Sequence, residues 1–202
     1  MKIAIIDSGI HPGHPHVGEV AGGIGMVGDD YLDRLGHGTA VAGAIREKVP
    51  YASLYAVKVF DRRLSADVDT ILHALAWCIE QHMDVINLSL GTANSAHRER
   101  FERMISDQPL IVSAASFLPG SLPGVIGIAP EETCPPDLFR YRDGIFYASP
   151  YPRSIPGVPV QRNLQGASFA VANMTGFVAR ALAEAPPDVI RSALIAQAAN
   201  NP

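Results

Sequence analysis

Lys2-Ile3-Ala4-Ile5-Ile6-Asp7-Ser8-Gly9 opens this chain with a short apolar run and an abrupt stop. A continuous run of this kind marks a strand buried on both faces, as in parallel sheets covered by helices. Asp-Ser-Gly then ends it with turn chemistry. Working outward, the same grammar repeats. Ser53 to Phe60, Asp84 to Leu88, Leu110 to Ala115 and Val125 to Ala129 read as further strands, with a short one near Ile145 to Ala148. Helical patterns separate them. Small residues from His37 to Ile45 fall at helical spacing. Val68, Ile71, Leu72, Leu75 and Ile79 line one side of Asp67 to Gln81, and a charged helix surrounds Arg98 to Met104. Ser168 to Leu182 and Pro187 to Ala198 complete the set. This alternation predicts an α/β fold: three layers, doubly wound, around a mainly parallel sheet. Ile10 to Leu35 and Pro130 to Pro159 are rich in Gly, Pro, His or Tyr and read as loops. No repeat or low-complexity linker interrupts the chain, so one domain over residues 1–202 is the simplest reading.

Composition excludes several classes. At 202 residues the chain can bury roughly 70% of its unfolded surface without staples. It is 48% hydrophobic and 18% charged with a net charge of −4, and no run of Lys or Arg supplies a local basic patch, so no nucleic-acid partner is expected. Cys78 and Cys134 cannot form a disulfide framework, and Cys78, among Ala76, Trp77 and Ile79, reads as a buried reduced thiol. The first residues lack a signal-peptide pattern, and no stretch approaches the ~20 apolar residues that span a bilayer. A cytoplasmic chain without a membrane partner or cofactor is the expectation.

Three segments carry reactive side chains at junctions. Asp7 ends the first strand, where parallel sheets expose their carboxyl edge to a ligand crevice. His37 opens a helix between Gly36 and Gly38, and Ser168 opens another after Gly166-Ala167. Each alone has an ordinary reading as a turn residue, a helix-start residue or an N-cap. Together they are the three types that acyl transfer needs. A serine hydroxyl attacks only when an imidazole takes its proton, and the imidazole needs a carboxylate on its other nitrogen. The helix beneath the serine offers N–H groups to an oxyanion.

These residues resemble the subtilisin-like serine peptidase (subtilase) family, whose triad runs Asp, His, Ser along the chain. Ile5-Ile6-Asp7-Ser8-Gly9-Ile10 with His14-Pro15 looks like its aspartate motif. Gly36-His37-Gly38-Thr39-Ala40-Val41-Ala42-Gly43 resembles its histidine motif. Gly166-Ala167-Ser168-Phe169-Ala170, followed by Gly176, resembles its serine motif. Ala52 to Val59 and Met83 to Gly91 match as well. The resemblance implies a catalytic triad of Asp7, His37 and Ser168. It implies a substrate-binding strand edge at Ser89, Leu90 and Gly91, and a primary pocket walled by Ala114, Ala115 and Ser116. The expected partner is a peptide or protein substrate.

The departures are informative. Family members place an oxyanion-binding Asn where an ungapped alignment puts Phe117 here. In the family's type enzyme, losing that donor costs about 10²–10³ in turnover. The Ser168 backbone N–H remains, and Ser116 or Asn94 is the substitute donor on offer. Ala167 replaces the usual Thr, and Ala172 stands where Pro is common. Ala44 to Ala52 is too short for the family's calcium loop, so no structural metal is expected. His11, His14 and His16, with Asp29, Asp30 or Asp33, could suggest a metal site, but a turn after the aspartate motif is the better reading. The chain begins at the first catalytic strand, which reads as a minimal intracellular member without a pro-domain. Three functional readings stay open: an endopeptidase dedicated to peptide processing, a weak or inactive peptide- or partner-binding module, and a half-enzyme whose site a partner subunit completes.

Overall fold

The computed structural model describes residues 1–105 and 109–198. In chain order the strands are β1 (Lys2–Asp7), β2 (Gly22–Gly25), β3 (Ser53–Lys58), β4 (Val85–Leu88), β5 (Leu110–Ala114), β6 (Ile126–Pro130), β7 (Phe139–Arg142) and β8 (Ile145–Ala148). The helices are α1 (His37–Lys48), α2 (Val68–Glu80), α3 (Arg98–Ile105), α4 (Ala167–Leu182) and α5 (Ile190–Ala198). One eight-stranded sheet runs β2-β3-β1-β4-β5-β6-β8-β7, parallel except for the β7–β8 pair. The α/β reading with a mainly parallel sheet holds.

The period-2 alternation of side chains divides the core into two layers. Ile3, Ile5, Leu54, Ala56, Val85 and Val112 pack toward α1, α4 and α5. Ala4, Ile6, Val57, Ile86, Leu88 and Ile111 pack toward α2 and α3. Because both faces are covered, the strands read as unbroken apolar runs. Strand β1 sits between β3 and β4, so successive connections leave it in opposite directions. That reversal opens a crevice at the carboxyl ends of β1 and β4.

Helix α4 runs through the first layer with every residue from Phe169 to Ala179 buried. Gly176 permits the α1 contact, since a Cβ there would meet Lys48 Cδ at 2.6 Å. Lys48 Nζ donates to Asn173 Oδ1 (2.5 Å) and lies 5.3 Å from the Phe177 ring centre. Burial pulls its pKa down to about 8. Cys78 is wholly buried in α2, and burial pushes its thiol up to about 12. No helix among the described residues is long and apolar enough to cross a membrane.

Two strands lie inside segments expected to be loops. Gly22-Gly23-Ile24-Gly25 pairs with β3, and Gly23 is required because a Cβ would stand 2.3 Å from the Ala56 carbonyl. Three glycines in four residues hide the strand from any propensity reading. Phe139-Arg140-Tyr141-Arg142 forms an antiparallel hairpin with β8 across Asp143-Gly144, both at positive φ (53° and 84°). Asp-Gly is the sequence signature of that tight turn. Helix α2 starts one residue later than expected, because Asp67 caps it by accepting from the Thr70 N–H (2.8 Å).

Phe101 is the buried residue of α3, fully enclosed in the second layer. Phe101→Ala is therefore expected to lower stability by about 3–5 kcal/mol, read from urea unfolding. A loss below about 1 kcal/mol would mean that α3 is held by its surface ion pairs instead.

Candidate active site

Asp7 is the last residue of β1 and is fully buried. His37 is the first residue of α1, with its side chain 16% exposed. His37 Nδ1 donates to Asp7 Oδ1 (2.7 Å), and the Ser8 N–H donates to the same oxygen (2.7 Å). The other carboxylate oxygen, Oδ2, is buried without a protein hydrogen-bond partner among the described residues. Burial alone would lower the His37 pKa. The Asp7 hydrogen bond and charge, with the Asp33 charge behind them, raise it above the ordinary value of 6.5.

Two glycines make this approach possible. Gly36 precedes the helix at φ 80°, in the left-handed region. A Cβ on Gly38 would stand 2.1 Å from the Gly9 carbonyl and 3.2 Å from Asp7 Oδ1. Only glycine lets the start of α1 lie against the end of β1.

Asp33 holds the two ends together, a role that sequence reasoning missed. Its Oδ1 accepts from Ser8 Oγ, Leu35 N and Gly36 N (2.9 Å each). Its Oδ2 accepts from Thr39 N (2.8 Å) and Thr39 Oγ1 (2.6 Å). Ser8 Oγ in turn accepts from the Gly38 N–H (2.9 Å). Burial works against the Asp33 charge, but these donors outweigh it and hold the carboxyl below its usual range. The available signal was an acidic residue four positions before His37, preceding a loop that must be capped.

Ser168 lies in the first turn of α4, half-buried, before the first intrahelical bond can occupy its N–H. The adjacent Phe169 ring centre is 5.4 Å from that of His37, which brings this turn against the imidazole. The Ser168 hydroxyl donates to the Ser89 carbonyl (3.2 Å). Among the described residues no hydrogen bond joins Ser168 to His37. Of the expected row of carboxylate, imidazole and hydroxyl, the first link is formed and the second is open in this rotamer.

Ser89, Leu90 and Gly91 follow β4 beside this turn. Asn87 Nδ2 donates to Ser89 Oγ (2.7 Å), while Asn87 Oδ1 accepts from Thr175 Oγ1 of α4 (2.9 Å). Ala114 ends β5, and Ala115 and Ser116 begin a tight turn closed by the Phe117 N–H on the Ala114 carbonyl (3.2 Å). Ser116 and Phe117 are exposed. Asn94 caps a short turn at Ser95–His97: its Oδ1 accepts from Ala96 N (3.1 Å) and its Nδ2 is 3.3 Å from His97 Nε2. Thr92 and Leu118 exchange backbone hydrogen bonds (3.0 and 2.9 Å), and a Cβ on Gly91 would stand 2.7 Å from Phe117 Cβ. Among the described residues no group of three or more His, Cys, Asp or Glu is placed to hold a metal.

Residues 1–116 match the Subtilase family, Peptidase_S8; the match ends before Ser168. Subtilisin E of Bacillus subtilis (strain 168) is 38% identical over 129 residues, covering 57% of this chain and 34% of that protein. The chain thus spans about a third of that relative's length. Subtilisin of Bacillus pumilus is 30% identical over 200 residues, covering 87% of this chain and 71% of that protein. Among solved structures, a cold adapted subtilisin-like serine proteinase superposes with a TM-score of 0.78 at 20% identity, covering 99% of this chain and 82% of that one.

The pairing of His37 with Asp7 predicts its titration. NMR of the imidazole is expected to place its ionisation above 6.5, and Asp7→Asn to move it downward as the burial penalty takes over. The raised value means that the pairing stabilises the fold fully below pH 6.5, a contribution lost as pH rises through the folded-state pKa. A parent ionisation at or below 6.5 would contradict the pairing. Asp33→Asn, which cannot accept from all these donors, is expected to cost about 1–3 kcal/mol in urea unfolding.

Proposed function

We infer the function from one premise: the chain belongs to the subtilase family. We propose that it is a serine endopeptidase working through Asp7, His37 and Ser168. The 2.7 Å bond from His37 to Asp7, at the crevice mouth and beside the first turn of α4, carries this reading. In the proposed mechanism the Ser168 hydroxyl leaves the Ser89 carbonyl and turns to His37. His37 takes its proton as the oxygen attacks the scissile carbonyl, and Asp7 stabilises the imidazolium. His37 then protonates the leaving amine, and water releases the acyl-enzyme by the same steps in reverse roles.

The Ser168 N–H, at the positive end of α4, faces the developing oxyanion. Phe117 has no donor side chain, and Asn94 is engaged in its own turn, so Ser116 is the better candidate for the second donor. The substrate backbone pairs with Ser89-Leu90-Gly91, which makes recognition of the chain itself sequence-tolerant. Selectivity falls to the slot between this edge and Ala114-Ala115-Ser116. The Thr92–Leu118 bonds and the Gly91–Phe117 approach close the end of that slot, which favours Gly, Ala or Ser before the cut over Phe or Leu.

A second reading rests on Phe117 and on the Ser168 hydroxyl being held by Ser89: a peptide- or partner-binding module, or a half-enzyme completed by a partner subunit. A fluorophosphonate probe separates the readings. Labelling of the parent but not of Ser168→Ala is the expected result; no labelling of either would favour the binding module, and labelling only after a second protein is added would favour the half-enzyme. With peptide anilides, Ala before the bond is expected to exceed Phe in kcat/KM by about tenfold or more, the scale that one mismatched side chain imposes on a tight pocket. Phe117→Asn is expected to raise turnover, and an unchanged rate would mean that Ser116 already supplies the donor.

A further inference from the structure

Helix α4 carries Ser168 at its start and lies in the first layer, which β4 also faces on its way to Ser89-Leu90-Gly91. That layer is built from apolar side chains such as Val85, Val112, Val171, Ala172 and Val178. Apolar contact is non-directional, so it holds a helix on a sheet without fixing where along the sheet the helix stops. A polar pair buried in such an interface does fix it, because a slide would leave both partners unpaired and out of water.

One such pair joins α4 to β4. Asn87 and Thr175 are both fully buried. Thr175 Oγ1 lies 2.9 Å from Asn87 Oδ1 and 2.9 Å from the Val171 carbonyl, so its single proton is shared between the strand and its own helix. On its other side Asn87 donates through Nδ2 to Ser89 Oγ (2.7 Å). Ser89 then meets Ser168 twice. Its carbonyl accepts from the Ser168 hydroxyl (3.2 Å), and its Oγ stands 3.5 Å from the Ser168 carbonyl. Ser168 and Thr175 are seven residues apart, about two helical turns, so they share one face of α4 and stand roughly 10 Å apart along its axis. The helix is thus tied to the strand at two heights, and Asn87 takes part in both ties. Asn173, also buried in α4, serves other neighbours: Nδ2 donates to the Ser149 and Tyr151 carbonyls (2.9 Å each), and Oδ1 accepts from Lys48. It fastens α4 to α1 and to the chain after β8, not to the strand that leads into the substrate edge.

We propose that Asn87 and Thr175 are positioning residues: their hydrogen bond sets the register of α4 on β4, and with it the depth at which the Ser168 hydroxyl stands beside Ser89 and His37. The inference rests on the peptidase reading above. Neither residue touches the reacting atoms. Misplacing an attacking group by about 1 Å can slow reaction on the order of a hundredfold, so a partial loss of register corresponds to about tenfold.

The test compares variants by the rate constant of fluorophosphonate labelling per folded molecule, and by kcat and KM on peptide anilides. Thr175→Val is expected to slow labelling and kcat about tenfold with KM near that of the parent, and Thr175→Ser, which keeps the hydroxyl, to retain the parent rates. Asn87→Leu combined with Thr175→Val replaces both partners by apolar groups of similar shape, so stability in urea should stay near that of the parent while labelling remains slow. A purely structural pair would change unfolding and leave the labelling of folded molecules untouched. Parent rates in the folded double variant, or equal losses in Thr175→Ser and Thr175→Val, would overturn the register role and leave the peptidase reading intact. In the parent, the Asn87 side-chain amide protons should exchange slowly by NMR; exchange at the rate of a free carboxamide would overturn the role even where no variant folds. A parent that neither takes the probe nor cleaves the anilides would overturn the peptidase reading, and the register role with it.

Discussion

The site depends on how closely the first turn of α1 can lie on the carboxyl end of β1. A fully buried carboxylate is costly unless it is paired and hydrogen-bonded. Asp7 meets that requirement with a single oxygen, through His37 and the Ser8 N–H. The pairing exists only because Gly38 tolerates the Gly9 carbonyl at a distance no Cβ could accept. Asp33 then fastens the arrangement from behind, taking donors from both sides of the junction. Strand end, loop and helix start are thus one hydrogen-bonded block, and the electrostatics of His37 follow from it.

Much of this was legible in the residues, for identifiable reasons. Buried strands in a doubly covered sheet carry continuous apolar runs, so β1, β3, β4 and β5 announced themselves. Residues at strand-to-helix junctions stood out because Asp7, His37 and Ser168 each interrupt small or apolar neighbours. What escaped is what sequence patterns do not encode. Strand β2 has almost no side chains with which to signal, and β7 alternates large residues with arginines that serve a surface ion pair to Glu131. Asp33 read as one of several acids in a loop, since nothing local reveals that five donors will converge on it. The position of the Ser168 hydroxyl, on Ser89 instead of His37, is a rotamer, and no sequence pattern specifies one.

The two sides of the crevice are built differently. Beside Ser89-Leu90-Gly91, backbone meets backbone: Thr92 bonds Leu118, and Gly91 abuts Phe117. Near the start of α1, loop side chains border a cavity of about 510 Å³, where Arg153 and Asn163 are tied to neighbouring backbone carbonyls.

Helix α4 adds a property of its own. Eleven consecutive residues after Ser168, from Phe169 to Ala179, are shielded from solvent on every side of the helix. Amide exchange along this segment requires the whole first layer to open, so its protection should equal that of the molecule's most stable unit. Ser168 is the half-buried tip of that unit. Heating should therefore leave the tip in register until the layer itself gives way, so that the start of α4 outlasts every looser part of the chain.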